Sequence, residues 1–564
     1  MIRFLGNVDI NKDKSSKYYK FDFSFSHEIN NQNYAIFDDD ENFYFMDGKI
    51  FTSIQNHPNV FLKETDIVKQ FNFIKNNKKI ISSLEGSFNF IHFNKIDGTL
   101  EIIRDRWGSK TFFYSICKNK ILFSSSLNGI LQGSLSDLSL NKKKLHDFLN
   151  YNFENNEETF FNEINRLPAS SFSDLRLEKI KTINFEKNHK SKKINFSIST
   201  FSKKFIHSVR EGVKDYQKVG LMLSGGLDSS AVAAGLHQCG KRFQAYSADF
   251  SHIQNNKDIN EIKYQKIVCE KTKNDHILVA LQNLSPFQAI AESSRIFVEP
   301  RLVPNIYFLL EMAKKMKKDG IDIVIDGNDG DNVISHGFEV LYKYFTHFKW
   351  LKLNTEIKSY SKIINKSYYQ MLKTFIKHFF KKIFRIPLLK EKNKLLKKHR
   401  KKIIKNDVYS NHLDKLKSPL HYYAFETRNM LFSYYGIDNY SPFYSKSITS
   451  FTLNMPDHFK INNGKTRNIL RQFISLYLDD EIANRPTKSI LTPGIQENLS
   501  EIDINLIKHE LKNIHIDIKD IIDEKYLHEI LAKARLKHIE EYEILDLMAF
   551  FSVNIFLNTY FRKL

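Results

Sequence analysis

Seven consecutive residues, Ser224-Gly225-Gly226-Leu227-Asp228-Ser229-Ser230, bring three hydroxyls, two glycines and a carboxylate into one short loop. Glycines let a backbone approach an anion closely, and hydroxyls add hydrogen-bond donors. The loop follows the apolar run Val219 to Leu223, expected as a buried parallel strand. It precedes Ala231 to His237, expected as the start of a helix. A helix starting there turns its unpaired N–H groups and its positive dipole end toward the same point, so the loop is expected to cradle phosphate. Asp228 would repel a bare phosphate, and a Mg2+ ion is expected between them. The plainer alternative is a serine-rich turn that holds nothing.

A second constellation, Asp326-Gly327-Asn328-Asp329-Gly330-Asp331, lies about a hundred residues further on. It follows the mostly apolar Ile321 to Ile325 and precedes Ser335-His336-Gly337. Alone, a glycine-bearing acidic turn could be a solvated loop. At the same edge of a sheet as the first loop it would complete a paired site.

SGGLDSS resembles the pyrophosphate-binding signature of the ATP pyrophosphatase enzymes, and with two glycines and LDSS it is most similar to the asparagine synthetase family. The resemblance implies cleavage of ATP between its α and β phosphates and activation of a carboxylate as its adenylate. It implies ATP and Mg2+ as cofactors, with Asp331 as the second metal ligand beside Asp228. Ser224, Gly225, Gly226, Ser229, Ser230 and Gly327 would hold ATP and pyrophosphate. Leu223 and Ser224 would begin the adenine pocket, and Ser247 with Ala248-Asp249-Phe250 would cover it.

Asparagine synthetases carry Glu after the first glycine of the acidic turn, and β-lactam synthetases carry Tyr. Here the position is Asn328, which cannot accept a proton at neutral pH. An attacking amine must lose a proton, and Glu426 is favoured as the base over His336 and Asp329. Downstream, Gly436 to Phe443, with Asp438 and Tyr440 in place of the family's Glu and Arg, precedes Leu453-Asn454-Met455-Pro456, Gly464 to Arg471 and Arg485-Pro486-Thr487-Lys488, all in family order. Lys488 corresponds to the lysine that offsets charge on the adenylate and pyrophosphate, a task suited to a flexible point charge. Lys488, Glu426 and Asn328 are therefore the catalytic positions, with Arg467 and Arg471 either assisting or holding their helix.

An α/β architecture must position these loops. From about residue 196, Val219 to Leu223, Gln244 to Ser247, His276 to Ala280 and Ile321 to Ile325 alternate with helix-like stretches, which predicts a doubly wound parallel sheet with ligands at its carboxyl edge. A helical C-terminal part follows residue 336. Residues 1 to about 195 show short alternating runs such as Tyr34 to Phe37, Phe88 to Phe93 and Leu100 to Ile103, and Lys187 to Lys193 reads as a linker.

That first domain resembles the glutaminase domain of glutamine-dependent asparagine synthetases, an Ntn-hydrolase-like α+β sandwich, through Leu84 to Phe88, Arg104 to Lys110, Tyr114 and Phe148 to Pro168. Such domains use an N-terminal cysteine as nucleophile. Ile2 stands at that degenerate nucleophile position, so loss of ammonia production is expected. Arg104 and Asp105, glutamine-binding in an active relative, would then form a buried structural ion pair.

Through the turn Asp331 to Gly337, the missing N-terminal cysteine and Gly464-Lys465-Thr466-Arg467, the chain most resembles the asparagine synthetase-like cyclases of lasso-type peptide clusters. This resemblance implies that a precursor peptide supplies both carboxylate and amine, with a companion protease or glutaminase as a possible partner; the alternative is asparagine synthetase, glutamine- or ammonia-dependent, acting on aspartate. The net charge of +21 invites a nucleic-acid reading, but the chain is rich in Lys, Ile, Asn and Phe together, a bias as much compositional as functional, and no stable nucleic-acid partner is expected. Lys381 to Lys405 holds twelve Lys or Arg and one acid, Glu391, inside a basic helical insertion at about 340–415; such a stripe is normally a solvated face, the alternatives being an acidic partner or an anionic membrane, and the insertion could grip a peptide. Cys117, Cys239 and Cys269 lack metal-ligand spacing, and no apolar stretch is long enough to span a bilayer, so a cytoplasmic location is expected.

Overall fold

Side chains that alternate in and out at period two build the first half of the chain. The computed structural model describes residues 3–9, 19–25, 34–50, 67–117, 120–133, 138–176, 179–182, 195–251, 261–282, 284–383, 390–392, 394–397, 401–403, 412–416, 418–485, 495–496 and 498–562. In β1 (Phe4–Asp9), Phe4, Gly6 and Val8 are buried while the residues between them are partly exposed. It belongs to an antiparallel sheet with β2 (Phe21–Phe25), β7 (Phe113–Cys117), β8 (Lys120–Ser124) and β9 (Asn165–Arg166), in the order β2-β1-β8-β7-β9. The second sheet runs β11-β10-β6-β5-β4-β3, from β3 (Tyr34–Asp38), β4 (Asn42–Ile50), β5 (Gly86–Asn94), β6 (Leu100–Arg104), β10 (Ser171–Asp174) and β11 (Lys179–Thr182). Phe4, Phe45, Phe93 and Phe123 fill the space between the sheets, and the Ile67–Asn76 helix covers the other face of the second with Ile67, Phe71 and Ile74. This is the α+β sandwich expected of the first domain.

After residue 195 the apolar period becomes helical. Ser197 caps the Ile198–Val213 helix by accepting from Thr200 N, and Phe201, Phe205, Val209 and Val213 form its buried stripe. Strands β12 (Val219–Met222), β13 (Gln244–Asp249), β14 (Asp275–Ala280), β15 (Ile323–Ile325) and β18 (Asp438–Tyr440) form a parallel sheet ordered β14-β13-β12-β15-β18. Leu221 and Ala245 join one core cluster and Tyr246 and Val324 another, so both faces of the sheet are covered. Leu221 lies opposite Ala245 on one side and Ile325 on the other, and Ile325 lies opposite Tyr440. The loops leaving β12, β15 and β18 therefore emerge side by side.

Two elements depart from expectation. Ile321 and Asp322 precede β15 rather than forming it, and β18 is a three-residue strand with the polar sequence Asp-Asn-Tyr. Its position comes from pairing with β15 and from a charge cluster: Asp438 accepts from Arg3 Nη1 at 3.1 Å, Lys110 Nζ at 2.6 Å and Tyr216 OH at 2.9 Å.

The helices Phe338–Thr346, Trp350–Ile363 and Tyr368–Ile383 share a small core of their own around Val340, Leu341, Leu353, Ile357 and Phe375. A hairpin of β16 (Lys390–Lys392) and β17 (Lys401–Ile403) follows, and β19 (Ile461–Asn462) pairs with β20 (Lys465–Thr466) beyond it. Most side chains of the Lys381 to Lys405 stripe, the Lys187 to Lys193 linker, Ile2 and Lys488 lie outside the described residues. Among the described residues no helix is long and apolar enough to cross a membrane.

Candidate active site

The carboxyl ends of the central strands open onto a cavity of about 530 Å3. Leu223, Ser224, Gly226, Asp228 and Ser229 form one wall; Asp326, Gly327, Asn328, Asp329, Asp331 and His336 form another. The two aspartates expected to share a metal thus face one space.

Glycine sets how closely these walls approach. A Cβ on Gly327 would lie 2.6 Å from Ser229 N and 2.7 Å from Asp228 C, and one on Gly330 would lie 2.7 Å from Asp228 Oδ1. Gly225 has φ +77, where a side chain is strained, and its carbonyl accepts from Arg485 Nη1 at 2.8 Å. The loop closes on itself: Ser224 N donates to Ser229 Oγ at 3.2 Å, and Gly226 N to Ser224 Oγ at 3.2 Å. Gly226 then starts the Leu227–Gln238 helix, which places Asp228 in its first turn.

Guanidinium groups balance the carboxylates. Arg467 Nη1 donates to both oxygens of Asp228, at 3.0 and 2.8 Å, and Arg428 Nη1 to Asp326 at 2.7 Å. Asp326 also accepts from Asn328 N at 3.0 Å and from the Ser441 hydroxyl, which ties the acidic turn to the end of β18. Asp329 bonds His421 Nδ1 at 2.8 Å and accepts from Tyr444 OH. Burial pushes the Asp329 carboxyl up, but these two partners outweigh it and hold the group below its usual range. His336 Nε2 lies 3.8 Å from Asp331 Oδ2. Arg485 also pairs with Glu261 and stacks over Tyr264 at 4.5 Å.

Another part of the wall is largely apolar and suits a flat base, with Met222, Tyr246, Ala248, Phe250, Phe308 and Met312, while Glu261, Gln265, Arg467 and Arg485 add polar groups to the lining. Phe308, Leu309 and Met312 belong to the Ile306–Asp319 helix, where their spacing carries no signal beyond that of a core face. Arg428, Tyr360 and Ile364 were likewise not singled out by motif; the last two come from the Trp350–Ile363 segment of the insertion and the turn after it.

Several expected site residues are placed differently. Ser247 is fully buried, donates to Leu223 O at 2.6 Å and contacts His276 Nε2 at 3.0 Å, so it fastens β13 to the loop below the cavity. Ser230 is also fully buried and, like Gly225, is outside the cavity lining. Glu426 faces a separate crevice between the two halves, where it pairs with Arg166 at 2.8 Å and Arg301 at 2.5 Å. Burial raises its pKa, but the arginines overcome this and hold it at about 2. A carboxylate so held does not take protons at neutral pH, which corrects its assignment as base.

Arg104 and Asp105 do not pair with each other. Arg104 donates to the carbonyls of Lys110, Gly108 and Leu167, while Asp105 accepts from Trp107 N at 2.9 Å and from the Ser109 hydroxyl at 2.7 Å. Arg471 donates to the carbonyls of Thr466, Ala483 and Arg485, which makes it a structural residue, although it reaches the cavity wall.

A family model for asparagine synthase matches residues 200–556, and one for a glutamine amidotransferase domain matches residues 63–186. Asparagine synthetase (glutamine-hydrolyzing) 1 of Bacillus subtilis strain 168 is 23% identical over 264 residues, 45% of this chain and 40% of its own length. A Methanocaldococcus jannaschii protein named as a second asparagine synthetase (glutamine-hydrolyzing) is 25% identical over 307 residues, 51% of this chain and 53% of its own length. The chain thus spans about half the length of these curated relatives. Among solved structures, the NMN synthetase of Francisella tularensis is 19% identical over 25% of this chain and 58% of its own, with a TM-score of 0.19, a likeness too slight to bear on function.

Proposed function

The chain belongs to the asparagine synthase family, and on that premise we propose that it is an ATP-dependent ligase that adenylates a carboxylate and passes it to an amine, releasing AMP and pyrophosphate. The observation that carries this reading is the single cavity shared by Asp228 and Asp331, with Gly327 and Gly330 admitting the acidic turn against the serine-glycine loop. Oxygen donors alone suit a hard cation, and two carboxylates leave the other positions to phosphate oxygens and water, as Mg2+ prefers. Asp228 and Asp331 would hold that ion, which neutralises charge on the phosphates. Ser224, Gly226 and Ser229 hold the phosphates, and the apolar wall from Met222 to Met312 holds the base. Lys488, by its place in the motif order, would offset negative charge on the departing pyrophosphate. His336, within the cavity, takes the basic role in place of Glu426.

For the substrate we propose the side-chain carboxylate and the amine of one precursor peptide. Asn328 replaces the Glu of the aspartate-using enzymes, and Arg104 and Asp105 are engaged with their own loop rather than offered to glutamine. Holding amine and acyl group together replaces several kcal/mol of entropic barrier, about 7 to 11 in well-oriented cases. The second reading, asparagine formation from aspartate, is favoured by the names of the two relatives. Exchange of 32P-pyrophosphate into ATP separates these readings. Label appearing with a carboxylate-bearing precursor peptide supports the first; label appearing only with free aspartate supports the second, and no exchange with any carboxylate overturns both.

A further inference from the structure

The helices Trp350–Ile363 and Tyr368–Ile383 pack against each other and leave large apolar side chains on their outer surface. Phe348 is 76% exposed, Leu351 85% and Tyr369 78%, with Trp350 and Phe380 about half exposed. Large apolar side chains gathered in one region mark an interaction surface. Phe348, Trp350 and Phe380 are linked by ring contacts: centroids run from Phe348 to Trp350 at 5.8 Å, Trp350 to Phe345 at 4.8 Å, Phe345 to Phe379 at 3.8 Å and Phe379 to Phe380 at 5.8 Å. Along the second helix, Tyr369, Lys373, Ile376 and Phe380 recur at helical spacing on the exposed side, while Phe375 and Phe379 are buried.

Lysine is interleaved with these residues. Lys349, Lys352, Lys358, Lys362, Lys366, Lys373 and Lys377 are all exposed. Residues 348 to 380 contain these seven lysines against the single acid Glu356, a net +6. We propose that this helical pair docks the protein on an anionic membrane surface, with Phe348, Trp350, Leu351 and Phe380 at headgroup level and the lysines on lipid phosphates. Exposed aromatic and aliphatic side chains flanked by lysine match the physics of interfacial helices, whose binding combines buried apolar area with attraction to anionic lipid. An acidic peptide would answer the charge but not the protruding apolar side chains. The same helix that starts at Trp350 carries Tyr360 into the cavity wall, ten residues or about 15 Å along its axis, so a docked protein presents its cleft close to the bilayer.

Flotation of the full chain with vesicles tests this. The protein is expected to float with phosphatidylcholine vesicles containing phosphatidylglycerol, to stay behind with phosphatidylcholine alone, and to bind less at high salt. Of the two tryptophans, Trp107 is buried and Trp350 exposed, so emission should shift to the blue on binding, and Trp350→Phe should abolish that shift. The triple variant Phe348→Ser, Leu351→Ser, Phe380→Ser should lower the floating fraction at least fivefold while pyrophosphate exchange and circular dichroism stay unchanged. Absence of the native chain from the floating fraction, or flotation of the triple variant equal to native, overturns the proposal. So does capture by poly-glutamate or RNA under conditions in which anionic vesicles bind nothing.

Discussion

Asp228 meets a cation before any metal arrives. Arg467, held at φ 53 just before its helix, places Nη1 within 3.0 Å of both carboxylate oxygens, so a divalent ion must compete with a guanidinium for the same lone pairs. Arg467→Met is therefore expected to tighten Mn2+ binding in the absence of nucleotide, measured by the loss of free-ion EPR signal; unchanged affinity would separate Asp228 from the metal site. Asp228→Asn should lower ATP–pyrophosphate exchange by two orders of magnitude or more, the scale of losing a group that stabilises transition-state charge. Turnover at the native rate in that variant would remove the basis for the ligase reading. At this scale the sequence was most informative about types: a carboxylate beside glycines and serines announces phosphate chemistry. It said little about orientation, since Ser224 and Ser247 look alike as letters, yet one lines the cavity and the other is bonded beneath it.

Two elements decide whether those residues meet. The acidic turn lies against the phosphate loop only because Gly327 and Gly330 lack side chains, and the atoms a Cβ would strike at Gly327 include backbone, which cannot rotate aside. Gly327→Ala should cost about 1 to 3 kcal/mol through overpacking, measured by urea unfolding, and should abolish exchange because the two loops part. Retained exchange would mean that the walls need not touch. The Pro419–Tyr434 helix is the other deciding element. Residues two apart on a helix point to nearly opposite sides, so Arg428 reaches Asp326 in the cleft while Glu426 faces Arg166 and Arg301 between the two halves. Both are charged residues on one apolar-flanked segment, and only packing distinguishes the side that sees the cleft. Removing the Glu426 carboxylate leaves two buried guanidiniums less compensated, and Glu426→Ala should destabilise by about 3 to 5 kcal/mol.

Across the whole molecule, the first half of the chain is bonded into the second rather than appended to it. Arg3 and Lys110 reach Asp438 on the edge strand of the parallel sheet, Trp107 Nε1 donates to Tyr444 O at 2.7 Å, and Arg166 supplies Glu426. A chain beginning at residue 196 would lose these partners and is expected to be less soluble on expression than the full chain; a folded, exchanging fragment would show the domains to be independent. The same interface predicts an acid limit. Glu426 titrates near 2 in the folded chain and near the model-compound value of 4.5 when unfolded, so its contribution is complete above pH 4.5 and is lost as pH falls from there toward 2. Urea midpoints measured at pH 6, 4 and 3 should fall more steeply for the native chain than for Glu426→Gln. By itself the sequence determined the residue types the loops carry, the alternation of strand and helix, and the concentration of charge in the insertion, because these depend on residue type and local period. Which carboxylates share a cavity, which serve as structural ion pairs, and that the insertion both lines the cleft and exposes an aromatic edge were decided by tertiary structure alone, because those facts depend on contacts between residues hundreds of positions apart.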